Sequence, residues 1–96
     1  KRNNKLYLYS FRYGNPQSFD SNPTVDILDS TGSVVSGFND LTTCQISKGV
    51  YEVNVSGLTS SSVPCVFYDT WKGISVNGVT LNNVENQFVL HSLSDL

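Results

Sequence analysis

Hydrophobic and polar residues alternate most strictly between Gly49 and Gly57, where Tyr51, Val53 and Val55 are separated by polar residues. A period of two is typical of a β-strand with one buried and one solvent-facing side. The segment therefore predicts a core strand. Residues 42–47 precede it across a tight Lys-Gly turn, so the two segments predict a β-hairpin.

Turn signals divide the rest of the chain into further strands. Residues 29–32, Asp-Ser-Thr-Gly, predict a turn between a strand at 24–29 and a short return strand at 33–37. Asn77-Gly78 predicts a type I′ hairpin turn, because that turn needs positive φ at two successive residues. It would join a long strand at 65–76 to a returning strand at 79–90. The polar middle of the latter, 82–86, is predicted to bulge or loop.

The first strand, predicted at 5–13 and ended by Gly14-Asn15-Pro16, has apolar residues on both faces. Leu6 and Leu8 lie on one face, and the other carries a run of aromatic residues. Such a strand is either buried on two sides or presents an aromatic row to a partner. The aromatic residues are Tyr7, Tyr9, Phe11 and Tyr13.

Composition supports an all-β chain. Alanine and methionine are absent, while valine, serine, threonine, asparagine and tyrosine are abundant. The 96 residues suit one domain, with a core over 5–90, either alone or as one domain of a longer chain. About seven strands at spacings of roughly 8–12 residues are typical of a Greek-key β-sandwich.

Three parts of the chain together resemble an immunoglobulin-like sandwich: residues 49–55, the hairpin at 25–35, and the closing pair around Asn77-Gly78 with Trp71 before it. More narrowly, residues 67–71, 74–80 and 87–90 are similar to the closing hairpin of immunoglobulin-like domains in tailed-bacteriophage virion proteins. The resemblance implies a structural or adhesive role in a capsid, neck, tail or fibre. It also implies location in the virion, outside the cell when mature, with a cell-surface or secreted protein as the alternative.

Catalytic chemistry has little support in the sequence. His91 is the only histidine and lies near the end of the chain, so we predict no enzyme and no catalytic residue. Asp20, Asp26, Asp29 and Asp40 lack the spacing of a calcium loop, and turn capping accounts for such residues; we predict no metal and no cofactor.

Net charge and hydropathy limit the kinds of partner that the sequence predicts. The formal net charge is −2, and the basic cluster in the first twelve residues is too small to predict nucleic-acid binding. No apolar run is long enough for a membrane helix.

Cys44 and Cys65 form either a disulfide or two free thiols. Asp69, between two aromatic residues of one strand face, is expected to be exposed, or to bond to the backbone or to a basic residue such as Arg12 or Lys72.

Taken together, the sequence predicts a non-enzymatic module that mediates subunit assembly or surface display through strand edges and loops. Its partners would be other virion subunits or neighbouring domains, in an oligomeric assembly. The alternative is a carbohydrate-binding or cell-surface adhesion module that uses exposed aromatic residues on host glycans. The predicted binding residues for either function are Tyr7, Tyr9, Tyr13 and Trp71.

Overall fold

The computed structural model describes residues 5–58 and 65–90, and all regular structure within them is β-strand. The predicted all-β class is therefore confirmed. Within these ranges no helix is long and apolar enough to cross a membrane. The strands are β1 (Lys5–Tyr9), β2 (Phe11–Arg12), β3 (Asn15–Pro16), β4 (Thr24–Leu28), β5 (Leu41–Ser47), β6 (Val50–Asn54), β7 (Cys65–Lys72), β8 (Ser75–Val76), β9 (Val79–Thr80) and β10 (Val84–Leu90).

The six longer strands form one antiparallel sheet in the order β1-β6-β5-β4-β7-β10. Strand β5 joins the two halves of this sheet. It begins beside β4, with Leu41 opposite Val25 and Thr42 opposite Thr24, and pairs with β6 from Thr43 onward. Among the described residues, the strand ladder between β1-β6-β5 and β4-β7-β10 therefore consists of two residue pairs.

The sheet curls until its two outermost strands lie on either side of one groove. Residues 6–9 of β1 and 86–88 of β10 line this groove together with Asp69 of β7. We call it the edge groove. Strands at opposite ends of a flat six-stranded sheet would be too far apart to share a groove, so the curl is what brings them together.

The inner face of the curled sheet carries the core, and its residues follow the predicted alternation. Tyr51, Val53, Val25 and Ile27 are at most 1% exposed, as their inward positions in the sequence pattern require. Burial of a side chain of this size stabilises the fold by roughly 1.5–3 kcal/mol. The remaining core residues are Leu8, Val55, Leu58, Phe67, Trp71, Ile74 and Leu90.

Two short ribbons extend from the sheet, and only one was predicted. Strands β8 and β9 pair across Asn77 and Gly78, whose φ angles of 52° and 80° confirm the type I′ turn. Strands β2 and β3 pair across Tyr13 and Gly14, with φ angles of 53° and 79°. The predicted first strand at 5–13 is therefore divided, and residues 15–16, expected only to end it, form a strand.

Ser10 causes the division of the first strand. Its N–H donates to the carbonyl oxygen of Gly49 at 2.7 Å, and its own carbonyl oxygen accepts from Gln17 N–H at 2.9 Å. The chain thus leaves the β1–β6 ladder at Ser10 to bond with the β5–β6 turn and the base of the ribbon. A Cβ on Gly49 would lie 2.6 Å from the Ser10 oxygen, so this junction requires glycine.

Three other predicted elements differ from the structure. The return strand expected at 33–37 is reduced to a single bridge between Leu28 and Val34. The long strand expected at 65–76 is interrupted at Gly73, whose φ is +72°. The irregular segment expected at 82–86 is shorter, because residues 84–86 pair regularly with 71–69 in β10 and β7. By contrast, the hairpin of β5 and β6 is confirmed.

Candidate functional site

Four aromatic side chains form a row along the start of the chain, which we call the aromatic row: Tyr7, Tyr9, Phe11 and Tyr13. They are 36%, 61%, 63% and 91% exposed, respectively. Tyr7 and Tyr9 face outward because Leu8, on the opposite face of β1, is buried in the core. The rings of Tyr7 and Tyr9 stack, with centroids 6.5 Å apart and planes at 28°.

A cleft of about 410 Å³ lies between the two ribbons, beside the distal part of the aromatic row. We call it the ribbon cleft. Arg12 lines it and also places its guanidinium carbon 5.6 Å from the centre of the Tyr13 ring, within the range of a cation–π contact. Its wall is otherwise largely apolar. The main side chains are Phe11, Phe19, Val76, Val79 and Leu81.

The loop at residues 17–20 fixes the geometry of the ribbon cleft. Phe19 stacks on Tyr51 with centroids 4.7 Å apart, and Phe19 N–H donates to the Tyr51 hydroxyl at 2.8 Å. The hydroxyl group of Tyr51 thus has a backbone partner in this loop. Because Tyr51 is fully buried, it ties the floor of the cleft to the core.

Asp20, at the end of the same loop, holds the β8–β9 ribbon. Its carboxylate accepts the backbone N–H groups of Asn77 and Gly78, both at 2.9 Å, and its own N–H donates to the carbonyl oxygen of Ser75 at 2.8 Å. The hydrogen bonds from Gly78 and Asn77 lower the pKa of Asp20, because they stabilise the charged carboxylate. The ribbon cleft is therefore preformed by contacts at its base.

Tyr13 combines high exposure with an unusual backbone conformation. Its φ of 53° lies in the left-handed region, which costs an aromatic residue on the order of 1 kcal/mol. The strained turn lifts the ring away from the body of the protein. Strain of this kind is often found at functional positions.

Trp71, the fourth predicted binding residue, lies in the core. It is 0% exposed, and its indole Nε1–H donates to Asp69 Oδ2 at 2.7 Å. A ring in this position is inaccessible to a ligand at the surface. The structure thus brings Tyr7 and Tyr9 together, places Tyr13 at a ribbon tip and separates Trp71 from all three.

Asp69 is 4% exposed and bonds to Trp71, not to Arg12 or Lys72. Burial raises the pKa of its carboxyl group, against the opposing effect of side-chain hydrogen bonds with Trp71 and Asn86. Lys72 instead lies between Asp26 and Asp40, at 2.8 and 2.5 Å.

The other acidic residues discussed above have local structural contacts. Asp29 Oδ1 accepts from the N–H groups of Thr31 and Ser33 within its turn. In the ranges 5–58 and 65–90, no three His, Cys, Asp or Glu side chains are grouped as metal ligands. Cys44 and Cys65 are free thiols. His91 and the residues before Lys5 lie outside the described ranges.

Sequence reasoning missed the contributions of Arg12, Phe19, Val79 and Leu81 to the ribbon cleft. The Tyr-Gly pair at 13–14 was the available signal for a second ribbon, although tyrosine is not a usual turn residue. No protein-family model matches the chain, and no curated protein or solved structure matches it either.

Proposed function

We propose that the protein is a non-enzymatic, immunoglobulin-like structural module of a viral particle. It joins neighbouring subunits through the aromatic row and the ribbon cleft. The observation that carries this proposal is the number of exposed large apolar side chains in these two features: the four residues of the aromatic row, and Val79 and Leu81 in the ribbon cleft, which Phe11 of the row also lines. Grouped apolar side chains of this kind on a soluble domain are typical of interaction surfaces.

The residue types on this surface and the fixed shape of the cleft suit a protein partner. Tyrosine and arginine are among the residue types that most often dominate binding energy at protein interfaces. The contacts of Phe19 and Asp20 hold the cleft in one shape before binding, which lowers the entropy lost on association. A low formal net charge of −2 also favours close approach of several copies.

The strand order supports the immunoglobulin-like part of the proposal. Strands β1-β6-β5 correspond in order and connection to B-E-D of an immunoglobulin sandwich, and β4-β7-β10 to C-F-G, with no counterpart of strand A among the described residues. Trp71 departs from that pattern, since it lies on β7 and not on the strand matching C. The assignment to a virus particle rests on the resemblance of residues 67–90 to closing hairpins of tailed-phage virion domains.

The test is assembly of particles that carry a Tyr7→Ser, Tyr9→Ser, Tyr13→Ser triple variant. We expect incorporation of the domain into sedimenting particles to fall at least ten-fold, because three exposed anchors are lost together. The isolated domain should keep its circular dichroism spectrum and thermal midpoint within a few degrees, since none of the three rings is in the core.

A matched control replaces exposed apolar residues outside the row, with Val34→Ser and Ile46→Ser, which are 45% and 51% exposed. These changes should leave incorporation unchanged. Equal loss in both variants would show that general surface polarity, not the aromatic row, controls assembly. Undiminished assembly of the triple variant would exclude the row as the interface.

Carbohydrate binding is the second candidate, favoured by the exposed, stacked rings of Tyr7 and Tyr9 and by the projecting ring of Tyr13. Flat aromatic faces are suited to packing against the apolar faces of sugar rings. A glycan array with the wild-type domain and the Tyr13→Ser variant separates the two functions. Sugar-specific signal that falls on substitution would favour this candidate. Trp71→Ala is an unsuitable control, because truncating a buried tryptophan costs about 3–5 kcal/mol of stability.

A further inference from the structure

The ribbon cleft combines an apolar lining with room for a large side chain. Two aromatic residues, Phe11 and Phe19, contribute to the lining, together with the aliphatic side chains of Val76, Val79 and Leu81. Its volume of about 410 Å³ lies within the range of roughly 300–1,000 Å³ that is typical of ligand-binding clefts. A large apolar side chain placed there would therefore leave water and gain hydrophobic contacts.

Several polar groups around the ribbon cleft already have partners within the protein. The N–H and carbonyl groups of Ser10 are both hydrogen-bonded at the base of the β2–β3 ribbon. The side-chain amide of Gln17 donates to the carbonyl oxygen of Ser18 at 3.0 Å. Asn77 N–H donates to Asp20 at 2.9 Å. A sugar needs donors and acceptors for its many hydroxyl groups, so this lining suits an apolar side chain better than a carbohydrate.

Arg12 gives the ribbon cleft its charge preference. It is exposed, lines the cleft and places its guanidinium carbon 5.6 Å from the centre of the Tyr13 ring. Within residues 5–58 and 65–90 the salt bridges are made by Lys5 and Lys72, and no carboxylate of these ranges pairs with Arg12. Guanidinium N–H groups form a planar fork that matches the two oxygens of a carboxylate. The cleft therefore favours a ligand that carries an acidic group beside an apolar one.

Backbone contacts hold both walls of the ribbon cleft in position. Leu81 N–H donates to the carbonyl oxygen of Ile74 at 2.8 Å, at the base of the β8–β9 ribbon. Asp20 binds the tip of that ribbon. Ser10 fixes the base of the β2–β3 ribbon, which carries Arg12. Because the walls are fixed before binding, a ligand that fits them loses less entropy on association.

We propose that the ribbon cleft binds a segment of a partner protein in which a large apolar side chain enters the cleft and a neighbouring carboxylate pairs with Arg12. This inference deepens the proposed function and rests on its premise of contact between protein subunits, because it names the chemistry of the partner segment. Charge complementarity with Arg12 identifies that segment as acidic. Burial of the apolar side chain supplies most of the affinity, and the charge pair selects an acidic segment over a neutral one.

The test uses three capped hexapeptides with glycine and serine at the flanking positions. Their central pairs are phenylalanine–aspartate, phenylalanine–asparagine and alanine–aspartate. Binding to the purified protein is measured by heteronuclear NMR titration, and the amide resonances of Phe19 and of residues 76–81 should shift. We expect the phenylalanine–aspartate peptide to bind about five-fold more tightly than the asparagine peptide, as for a well-placed exposed ion pair. The alanine peptide should bind roughly ten-fold more weakly or worse, because it buries no ring.

Arg12→Gln is the decisive variant, and Lys48→Gln is its matched control. Both remove an exposed cation and change the net charge equally, but only Arg12 lines the ribbon cleft. The Arg12 variant should lose the preference for aspartate over asparagine, and the Lys48 variant should keep it. Val79→Ser, at a position 60% exposed, should weaken binding of both phenylalanine peptides without changing that preference. In the wild type the preference should decrease as salt is raised, which tests the charge pair without any substitution.

Two results would overturn the proposal directly: equal affinity of the wild type for the aspartate and asparagine peptides, or equal loss of preference in the Arg12 and Lys48 variants. Tighter, Arg12-dependent binding of sialyllactose than of any peptide would assign the cleft to acidic sugars instead. Failed assembly of the triple tyrosine variant without peptide binding would refute this inference and leave the proposed function standing. Selective peptide binding with undiminished assembly of that variant would exclude the aromatic row as the interface and retain the cleft chemistry.

Discussion

The two ribbons have the same turn geometry but different support. Both reverse through two residues of positive φ, Tyr13-Gly14 in one and Asn77-Gly78 in the other. The β8–β9 turn has asparagine, which tolerates this conformation, and Asp20 binds both of its N–H groups. The β2–β3 turn has a strained tyrosine at its tip, and its backbone contacts with the body lie at its base, through Ser10 and Gln17.

This difference indicates how a small sheet protein presents a large side chain. The β8–β9 ribbon forms a fixed wall of the ribbon cleft, because its tip is hydrogen-bonded to the loop at residues 17–20. The β2–β3 ribbon is fixed at the junction with Gly49 and carries Tyr13 outward from there. The two ribbons should therefore respond differently to substitutions at the base and at the tip.

The largest effect is expected at the base of the β2–β3 ribbon. Gly49→Ala combines a φ of +75° with a Cβ that would lie 2.6 Å from the Ser10 oxygen. We expect it to lower the free energy of unfolding by about 2–3 kcal/mol, as measured by urea denaturation. Gly37→Ala is the control, because Gly37 has a φ of +85° but no atom within 4 Å of the added Cβ. Equal losses in both variants would show that the close approach at Ser10 has no role.

Exchanging the residue types at the tips tests the turns directly. Asn77→Tyr should lower the free energy of unfolding by about 1 kcal/mol, because it places an aromatic residue in the left-handed region. Tyr13→Asn should raise it by about 0.5 kcal/mol, since relief of strain exceeds loss of the exposed contact with Arg12. If both variants changed the free energy of unfolding in the same direction, the inferred difference between the two turns would be contradicted.

The smallest change in global stability is expected at Asp20. Asp20→Asn removes a charged acceptor from the β8–β9 turn, so the amides of Asn77 and Gly78 should exchange faster with solvent while those of Tyr13 and Gly14 do not change. In the wild type, the pKa of Asp20 is lowered. Its stabilising contribution is therefore complete above the ordinary value of 3.8 and is lost as pH falls through the lowered pKa. Protection at 77–78 that is insensitive to acid would contradict this role.

Features governed by local chemistry could be predicted from the sequence. The alternation around Tyr51 identified the buried face of β6, and Asn77-Gly78 identified the turn between β8 and β9, because both features depend on neighbours in the chain. Tyr13-Gly14 was missed because tertiary contacts at Ser10 and Gly49 impose the ribbon on a residue with little turn preference.

Trp71 shows a second limit of sequence reasoning. A polar residue, Asp69, shares its strand face with Phe67 and Trp71, so the sequence left open whether that face is exposed or whether Asp69 has a bonding partner. In the structure all three are buried, and the carboxylate is accommodated by the indole N–H. Such a pairing depends on side-chain geometry that a period of two does not specify.

The position of β1 at one end of the sheet also has consequences for how the chain acquires its structure. Its partner is β6, with Tyr9 opposite Val50 and Lys5 opposite Asn54, whereas β5 and β6 are consecutive in sequence. During synthesis β1 leaves the ribosome well before the strand that will cover its edge. Loop-closure entropy delays such distant pairing, so the β5–β6 hairpin should form first and β1 should dock late. Until then its leucines and tyrosines are all available to other chains.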